Sequence, residues 1–234
     1  MSMEYTVDHP TAREEGVRGR LSSPLHITGH VPMHFGRRVR YEGTYEKLFL
    51  ETLDFNASVK AVWPQPLAFR FTNVPHKKKY TPDFLVEYSA PQGERIFRPT
   101  LVEVKARADL KAERDNLLPG FRAATEYCRE QGWRFRIVTD VYLKRPYAEN
   151  ARFLSHYLRN EYDTEMASHL KRSLHKVGPS SVFKFLEACF SDYEDRMRAL
   201  AVTWHLVATR QFAVSLFIPL NMNSLIWEVG HGTA

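Results

Sequence analysis

The sequence predicts an α/β fold, a mixed sheet flanked by helices, followed by a helical, winged-helix-like C-terminal domain. Three observations predict it. Helical and strand periodicities succeed one another in the order α-β-β-β-α-β over residues 45–143. From residue 147 the chain turns into consecutive helical segments. Two short apolar runs around "NMNS" then close the chain, the pattern of a terminal hairpin.

Taken in order, residues 1–40 are polar and irregular, with a basic stretch in "HFGRRVRYEG", and are expected to form an N-terminal arm with little regular structure. "TYEKLFLETLDF", residues 44–55, reads as a helix. At about 100° per residue, Leu48, Phe49, Leu50 and Leu53 share a broad sector with Tyr45, while Lys47, Glu51 and Asp54 lie opposite. Glu46 falls inside the apolar sector. "AVWPQPLAFRFT", residues 61–72, reads as a strand broken or edged by Pro64 and Pro66. "HKKKYTPDFLVEY" is a basic turn entering a strand at 79–88, a turn follows near Gly93, and "TLVEVKARA" is the next strand. The helix in "RDNLLPGFRAATEYCREQG" has its main body at 119–131 and stops at Gly132. "WRFRIVTDVYL" is a further strand. Beyond it, "ENARFLSHYLRNEYD", "TEMASHLKRSLHKVG", "SVFKFLEACF" and "YEDRMRALAVTWHLVATRQ" read as helices. The expected division is an arm at 1–40, a core domain at 41–146 and a C-terminal domain at 147–234.

Composition narrows the function classes. Apolar content of 44% and aromatic content of 13% are those of a folded globular chain. No apolar run is long enough to cross a bilayer and the N-terminal residues hold no signal-peptide core, so a soluble, intracellular, cytoplasmic protein is expected. A net charge of +6 is compatible with a polyanionic partner. Cys128 and Cys189 supply neither a disulfide framework nor a zinc ligand set, and read as small apolar helix residues.

The chemistry lies in charges that interrupt apolar strands. Residues two apart on a strand share a face, so Glu103, Lys105 and Arg107 point the same way as Leu101. Folding 79–88 onto 100–107 about Gly93 brings Asp83 opposite Glu103, within a residue. Cross-strand Cβ atoms lie about 5 Å apart, and two carboxylates so close repel. A divalent cation resolves the repulsion, and Mg²⁺ often takes one or two carboxylates plus water and substrate phosphate. Glu46 reaches the same point if its helix packs on this sheet. Lys105 beside the cation would orient a water or stabilise charge on a phosphate. The bland alternative is a surface Glu103–Lys105 pair worth about 0–1 kcal/mol. Three features favour a site: Asp83 follows Pro82 in an apolar strand, Val102, Val104 and Ala106 make the other face of the second strand apolar, and Glu46 sits on the buried side of its helix.

Other charges have two readings each. His76 and Lys77, Lys78 and Lys79 form either a solvated turn or a phosphate grip, as do Arg37, Arg38 and Arg40. Arg107 either contacts phosphate or pairs with Asp109. The histidines form no metal-spaced set, and Ser180 and Ser181 read as helix-capping residues.

Glu46 on a first helix, "QP" at Gln65–Pro66, "TPDFLV" at 81–86 and "VEVKAR" at 102–107 together resemble the PD-(D/E)xK nuclease superfamily. Within it they resemble TnsA, the endonuclease subunit of heteromeric cut-and-paste transposases. The resemblance covers 30–150, with "RIVTDVYL" at 136–143 similar to the last core strand. It implies a restriction-endonuclease-like core that cuts the 5′, non-transferred strand at transposon ends. It implies a TnsB-like DDE transposase that acts on the 3′ ends, and a TnsC-like ATPase that contacts the C-terminal domain. Some relatives serve CRISPR-guided transposons. By resemblance, Glu46, Asp83, Glu103 and Lys105 match the catalytic positions. Asp83 and Glu103 would hold Mg²⁺ (Mn²⁺ substituting), with the Val104 carbonyl as a third ligand and Glu46 as ligand or assisting base. Gln65, Lys77, Lys78, Lys79, Arg38 and Arg107 are the candidate DNA contacts. A stand-alone restriction or repair nuclease, or a DNA-binding scaffold with an idle site, are the rival readings.

Overall fold

The computed structural model describes residues 4–10, 16, 27–73, 79–89, 97–159 and 161–230. The chain forms two compact units, Met1–Leu143 and Lys144–Ala234.

The first unit opens with strand β1 (Tyr5–Asp8), then β2 (Gly29–Pro32) and β3 (Arg38–Tyr41). The segment expected to be an irregular arm therefore carries three strands. The reason is non-local: β1 is held by pairing with a strand more than sixty residues on, and β2 and β3 pair with each other. The turn between β2 and β3 closes through Met33 N–H to the Arg37 carbonyl and needs Gly36 at φ 83°, a conformation that glycine adopts without steric cost.

Helix α1 (Thr44–Asp54) leads to β4 (Val59–Pro64), β5 (Ala68–Phe71), β6 (Lys79–Tyr80), β7 (Phe84–Tyr88) and β8 (Thr100–Val104). After β8 come α2 (Arg107–Ala112), α3 (Arg114–Glu130), β9 (Arg134–Val138) and the single turn α4 (Asp140–Leu143). The central sheet runs β4-β7-β8-β9, antiparallel except for the β8–β9 pair, which α2 and α3 connect. A second sheet runs β1-β5-β6.

The expected break in 61–72 falls at Gln65, which adopts φ 44° beside Pro66 and sends β4 and β5 to different sheets. Four expectations are corrected here. Residues 79–88 break likewise at 81–83, so Asp83 precedes β7 rather than lying within it. Strand β8 ends at Val104, so Arg107 starts a helix instead of sharing a strand face with Lys105. Residues 139–143 turn into α4 instead of prolonging β9. Helix α3 also begins before Pro119, which lies inside it.

Two cores flank the central sheet. On one face Phe49, Leu50 and Leu53 of α1 pack with Val62, Phe84, Val86, Val102, Val104 and Val138, roofed by Val31, Met33 and Val39. On the other, Ala123, Ala124 and Cys128 of α3 pack with Leu85 and Leu101 and with Leu67, Phe69 and Phe71. Successive residues of β7 and β8 alternate between these two layers, so β8 is buried along its whole length and β7 over its first three residues.

The second unit contains α5 (Pro146–Ser155), α6 (Thr164–Val177), β10 (Ser180–Ser181), α7 (Val182–Cys189), α8 (Tyr193–Ala208), β11 (Phe212–Val214) and β12 (Leu225–Glu228). Asp163 and Asp192 cap α6 and α8, and Ser181 caps α7 through the Lys184 N–H. The sheet order is β10-β12-β11, all antiparallel. The two terminal strands do pair, but through a long connection rather than a tight turn at "NMNS". Buried Asn150 organises that connection: its amide donates to the carbonyls of Leu216 and Ile218 and its oxygen accepts from Leu220 N–H. Leu170, Leu174, Phe185, Leu186, Leu206 and Ile226 form this unit's own interior, all 1% exposed or less.

Candidate active site

The antiparallel ribbons β4/β7 and β5/β6 leave one sheet for the other at the same level, through residues 65–67 on one side and 81–83 on the other. The Gln65 N–H donates to the Asp83 carbonyl at 2.7 Å and staples the two crossings together. This bend frees Asp83 from the ladder without moving it away from β8. Continuing the β7–β8 register puts Asp83 across from Glu103, and the Asp83 N–H donates to the Val102 carbonyl.

A cavity of about 320 Å³ opens at this end of the sheet. Its lining includes Glu42, Glu46, Asp83, Glu103, Lys79 and Lys105, with Tyr80, Thr81, Val104 and Leu117. Four carboxylates thus face two ammonium groups, an excess of negative charge suited to a cation.

Each acid is fixed differently. The Asp83 carboxylate accepts the Val104 N–H at 2.6 Å, a charge-assisted bond that locks it against the end of β8. Glu103 is 7% exposed, and the Tyr80 hydroxyl donates to its Oε2 at 2.8 Å. A carboxylate this deep requires such a partner. Burial, together with the negative charges of Glu103 and Asp83, pushes the Tyr80 hydroxyl well above its usual range, so it stays protonated and donates. Glu46 stands in the first turn of α1, where its Oε2 accepts the Glu42 N–H at 2.8 Å and its charge complements the helix dipole. Glu42 in turn pairs with Arg40 at 2.7 Å. Lys105 is turned toward Glu113, at 3.1 Å.

Asp83, Glu103 and Glu46, the three acids expected to converge, all line this cavity. Among the described residues no three acidic, histidine or cysteine side chains stand close enough to hold a metal ion. Asp83 and Glu103 are paired across two strands, whereas Glu46 lines the same cavity from α1, on the opposite face of the sheet. The residues present still fit a hard cation: two carboxylates and a backbone carbonyl at Val104 are oxygen donors of the type Mg²⁺ accepts.

Of the candidate DNA contacts, Lys79 lines the cavity. Lys77 and Lys78, with His76, lie outside the described residues. Gln65, Arg38 and Arg107 are not among the described lining residues. Gln65 acts through its backbone, and its buried side-chain oxygen has no hydrogen-bond partner among the described residues. Arg38 is exposed on β3, and Arg37 stacks over Trp63 at 4.7 Å. The exposed Arg107 meets Asp140 through its main-chain N–H, and no Arg107–Asp109 ion pair is present among the described residues. Sequence reading missed Tyr80, Thr81 and Glu42. None of these carries a local signal in the sequence.

Residues 56–140 match the family described as TnsA-like endonuclease N terminal. The chain carries a TnsA-like endonuclease domain. No curated protein matches the chain. The TnsA-like match contains Asp83, Glu103 and Lys105 and begins after α1, so Glu46 lies outside it. The similarity of residues 56–140 to TnsA-like endonuclease domains is in keeping with a mixed sheet flanked by helices. No helix among the described residues is long and apolar enough to cross a membrane.

Proposed function

We propose that the protein is a Mg²⁺-dependent DNA endonuclease, the subunit of a cut-and-paste transposase that hydrolyses the 5′, non-transferred strand at transposon ends. The observation that carries this reading is the shared cavity: Asp83, Glu103, Val104, Lys105 and Glu46 all line it, inside or beside a TnsA-like endonuclease domain. Asp83 and Glu103 would hold the cation with the Val104 carbonyl, and Mn²⁺ would substitute. When bound, the cation supplies Lewis-acid polarisation of the scissile phosphate.

The chain's own residues do the rest. The Val104 N–H holds the Asp83 carboxylate in place. Lys105 exchanges its exposed partner Glu113 for the substrate and orients the attacking water, a swap that costs little because such pairs are worth about 0–1 kcal/mol. Glu46, across the cavity, accepts the proton from that water. A P–O bond forms to the water oxygen as the bond to the 3′ oxygen breaks and that oxygen takes a proton from solvent, leaving a 5′-phosphate and a 3′-hydroxyl. Lys79 contacts a phosphate at the cavity mouth, and Lys77, Lys78, Arg38, Arg107 and Gln65 are the further candidates for DNA contact.

The partners in this reading are transposon-end DNA, a TnsB-like DDE transposase for the 3′ strands and a TnsC-like ATPase, in the prokaryotic cytoplasm. The order helix, strand, helix, helix, strand, strand from α6 to β12 supports a winged-helix reading of the C-terminal unit, which would receive the ATPase.

The test is cleavage of end-labelled transposon DNA, with and without the partner subunits, in Mg²⁺ and in EDTA. The expected product is a 5′-strand cut that needs Mg²⁺ and the DDE partner and disappears with Asp83→Ala. Cutting without a partner would favour a stand-alone nuclease. Normal excision by Asp83→Ala would leave the protein a scaffold.

A further inference from the structure

Glu103 is the most buried of the cavity acids, and a glutamate side chain has three rotatable bonds with which to miss its target. What holds it comes from β6 in the neighbouring sheet. The Tyr80 hydroxyl donates to Glu103 Oε2 at 2.8 Å, and Tyr80 is itself only 5% exposed. Its ring stacks on Phe69 at 6.0 Å and meets the edge of Phe121 at 5.8 Å.

The remaining wall of this ring slot is a missing side chain. Gly120 lies within α3, where glycine is disfavoured because it gains no helix propensity and loses the most backbone freedom. A Cβ at this position would stand 2.5 Å from Cγ of the Tyr80 ring and 2.8 Å from both Cδ atoms, closer than carbon atoms approach. The ring therefore occupies the volume that any other residue at 120 would fill. Helix α3 and strand β6 meet at this contact, and the hydroxyl at the far end of the ring is delivered to Glu103.

We propose that Tyr80, seated by the bare Cα of Gly120, is a positioning residue for Glu103 that pre-orients its carboxylate for a divalent cation. The inference rests on the nuclease reading above. A carboxylate offers about four lone-pair sites, so accepting one hydrogen bond leaves it able to ligate. The tyrosine does not touch the reacting atoms; it acts through Glu103.

The test uses the full chain and Mn²⁺ as probe. Tyr80→Phe keeps the ring in its slot and removes only the donor. Its melting temperature should stay close to the wild type's, while Mn²⁺ affinity by calorimetry falls about 10–100-fold, the usual effect of losing a partner that orients a metal ligand. The Mg²⁺ concentration giving half-maximal cleavage should rise in step. Gly120→Ala, which pushes the ring out, should weaken Mn²⁺ binding in the same direction. In a Glu103→Ala background, Tyr80→Phe should have no further effect on Mn²⁺ affinity. Tyr80→Phe with wild-type Mn²⁺ affinity and wild-type Mg²⁺ dependence would overturn the positioning role and leave the nuclease reading intact. A wild-type protein that binds no Mn²⁺, alone or with DNA, would overturn both.

Discussion

Asp83 does two jobs from one position. Its main chain belongs to the staple with Gln65, and its carboxylate holds the Val104 N–H. Two substitutions separate these from catalysis. Asp83→Asn keeps an acceptor for that N–H and loses only the charge; its melting point should barely move while cleavage falls roughly 100-fold or more. Asp83→Ala should lose cleavage equally and also about 1–3 kcal/mol of stability, the cost of a part-buried donor left without an acceptor, measurable by urea unfolding. Lys105→Ala should divide the functions differently. Mn²⁺ binding should survive, cleavage should fall about 10²–10³-fold, and stability should change by less than about 1 kcal/mol, because the Lys105–Glu113 pair is exposed. Cys128 is a buried thiol whose pKa burial pushes up to about 12, so alkylation by iodoacetamide at pH 8 should leave it unmodified until the chain is unfolded.

At the scale of the element, helices were legible and strand breaks only in part. The spacing of Leu48, Phe49, Leu50 and Leu53 reports a helix directly, and α1 starts at the expected residue. The prolines at 64 and 66 mark a break between β4 and β5, but nothing in the local pattern reveals that the two strands pair in different sheets. The break depends on Gln65 taking φ 44°, which is paid back by its bond to Asp83, a residue distant in sequence. Strand β10 is two residues long and exists only because β12 lies beside it. Helix caps are local and were partly readable, as Ser181 shows. Asp192 at the start of α8 is a cap with a pH signature. The N–H of Asp195 first, then those of Glu194 and Tyr193 and the charge of Arg196, hold its carboxyl below the ordinary 3.8. A carboxyl depressed in the folded state stabilises above its ordinary value and loses that contribution as pH falls through the lower folded value. Asp192→Asn should therefore flatten the acid limb of the melting temperature against pH, with little change at neutral pH.

At the scale of the whole molecule, the two units have separate interiors. The C-terminal unit surrounds Phe185 and Leu206 with its own helices and sheet. Residues 144–234 expressed alone should unfold in a single cooperative transition by circular dichroism; a gradual, non-cooperative melt would show that the unit depends on the rest of the chain. The first unit gathers its cavity from α1, β6, β8, the 81–83 crossing and the start of α3, elements spread over some seventy residues.

The amino-acid sequence alone determined that this chain alternates helix and strand, that Asp83, Glu103 and Lys105 are charges in apolar surroundings, and hence where a site would form. Those are local facts: periodicity and the cost of burying charge act on neighbours in the chain. Only the tertiary structure decided that Glu46 approaches from the other face of the sheet, and that Gln65 serves through its backbone. It also decided that a tyrosine and a glycine forty residues apart hold Glu103. Such contacts are made between surfaces that meet only after folding, and no residue pattern along the chain encodes the distance between them.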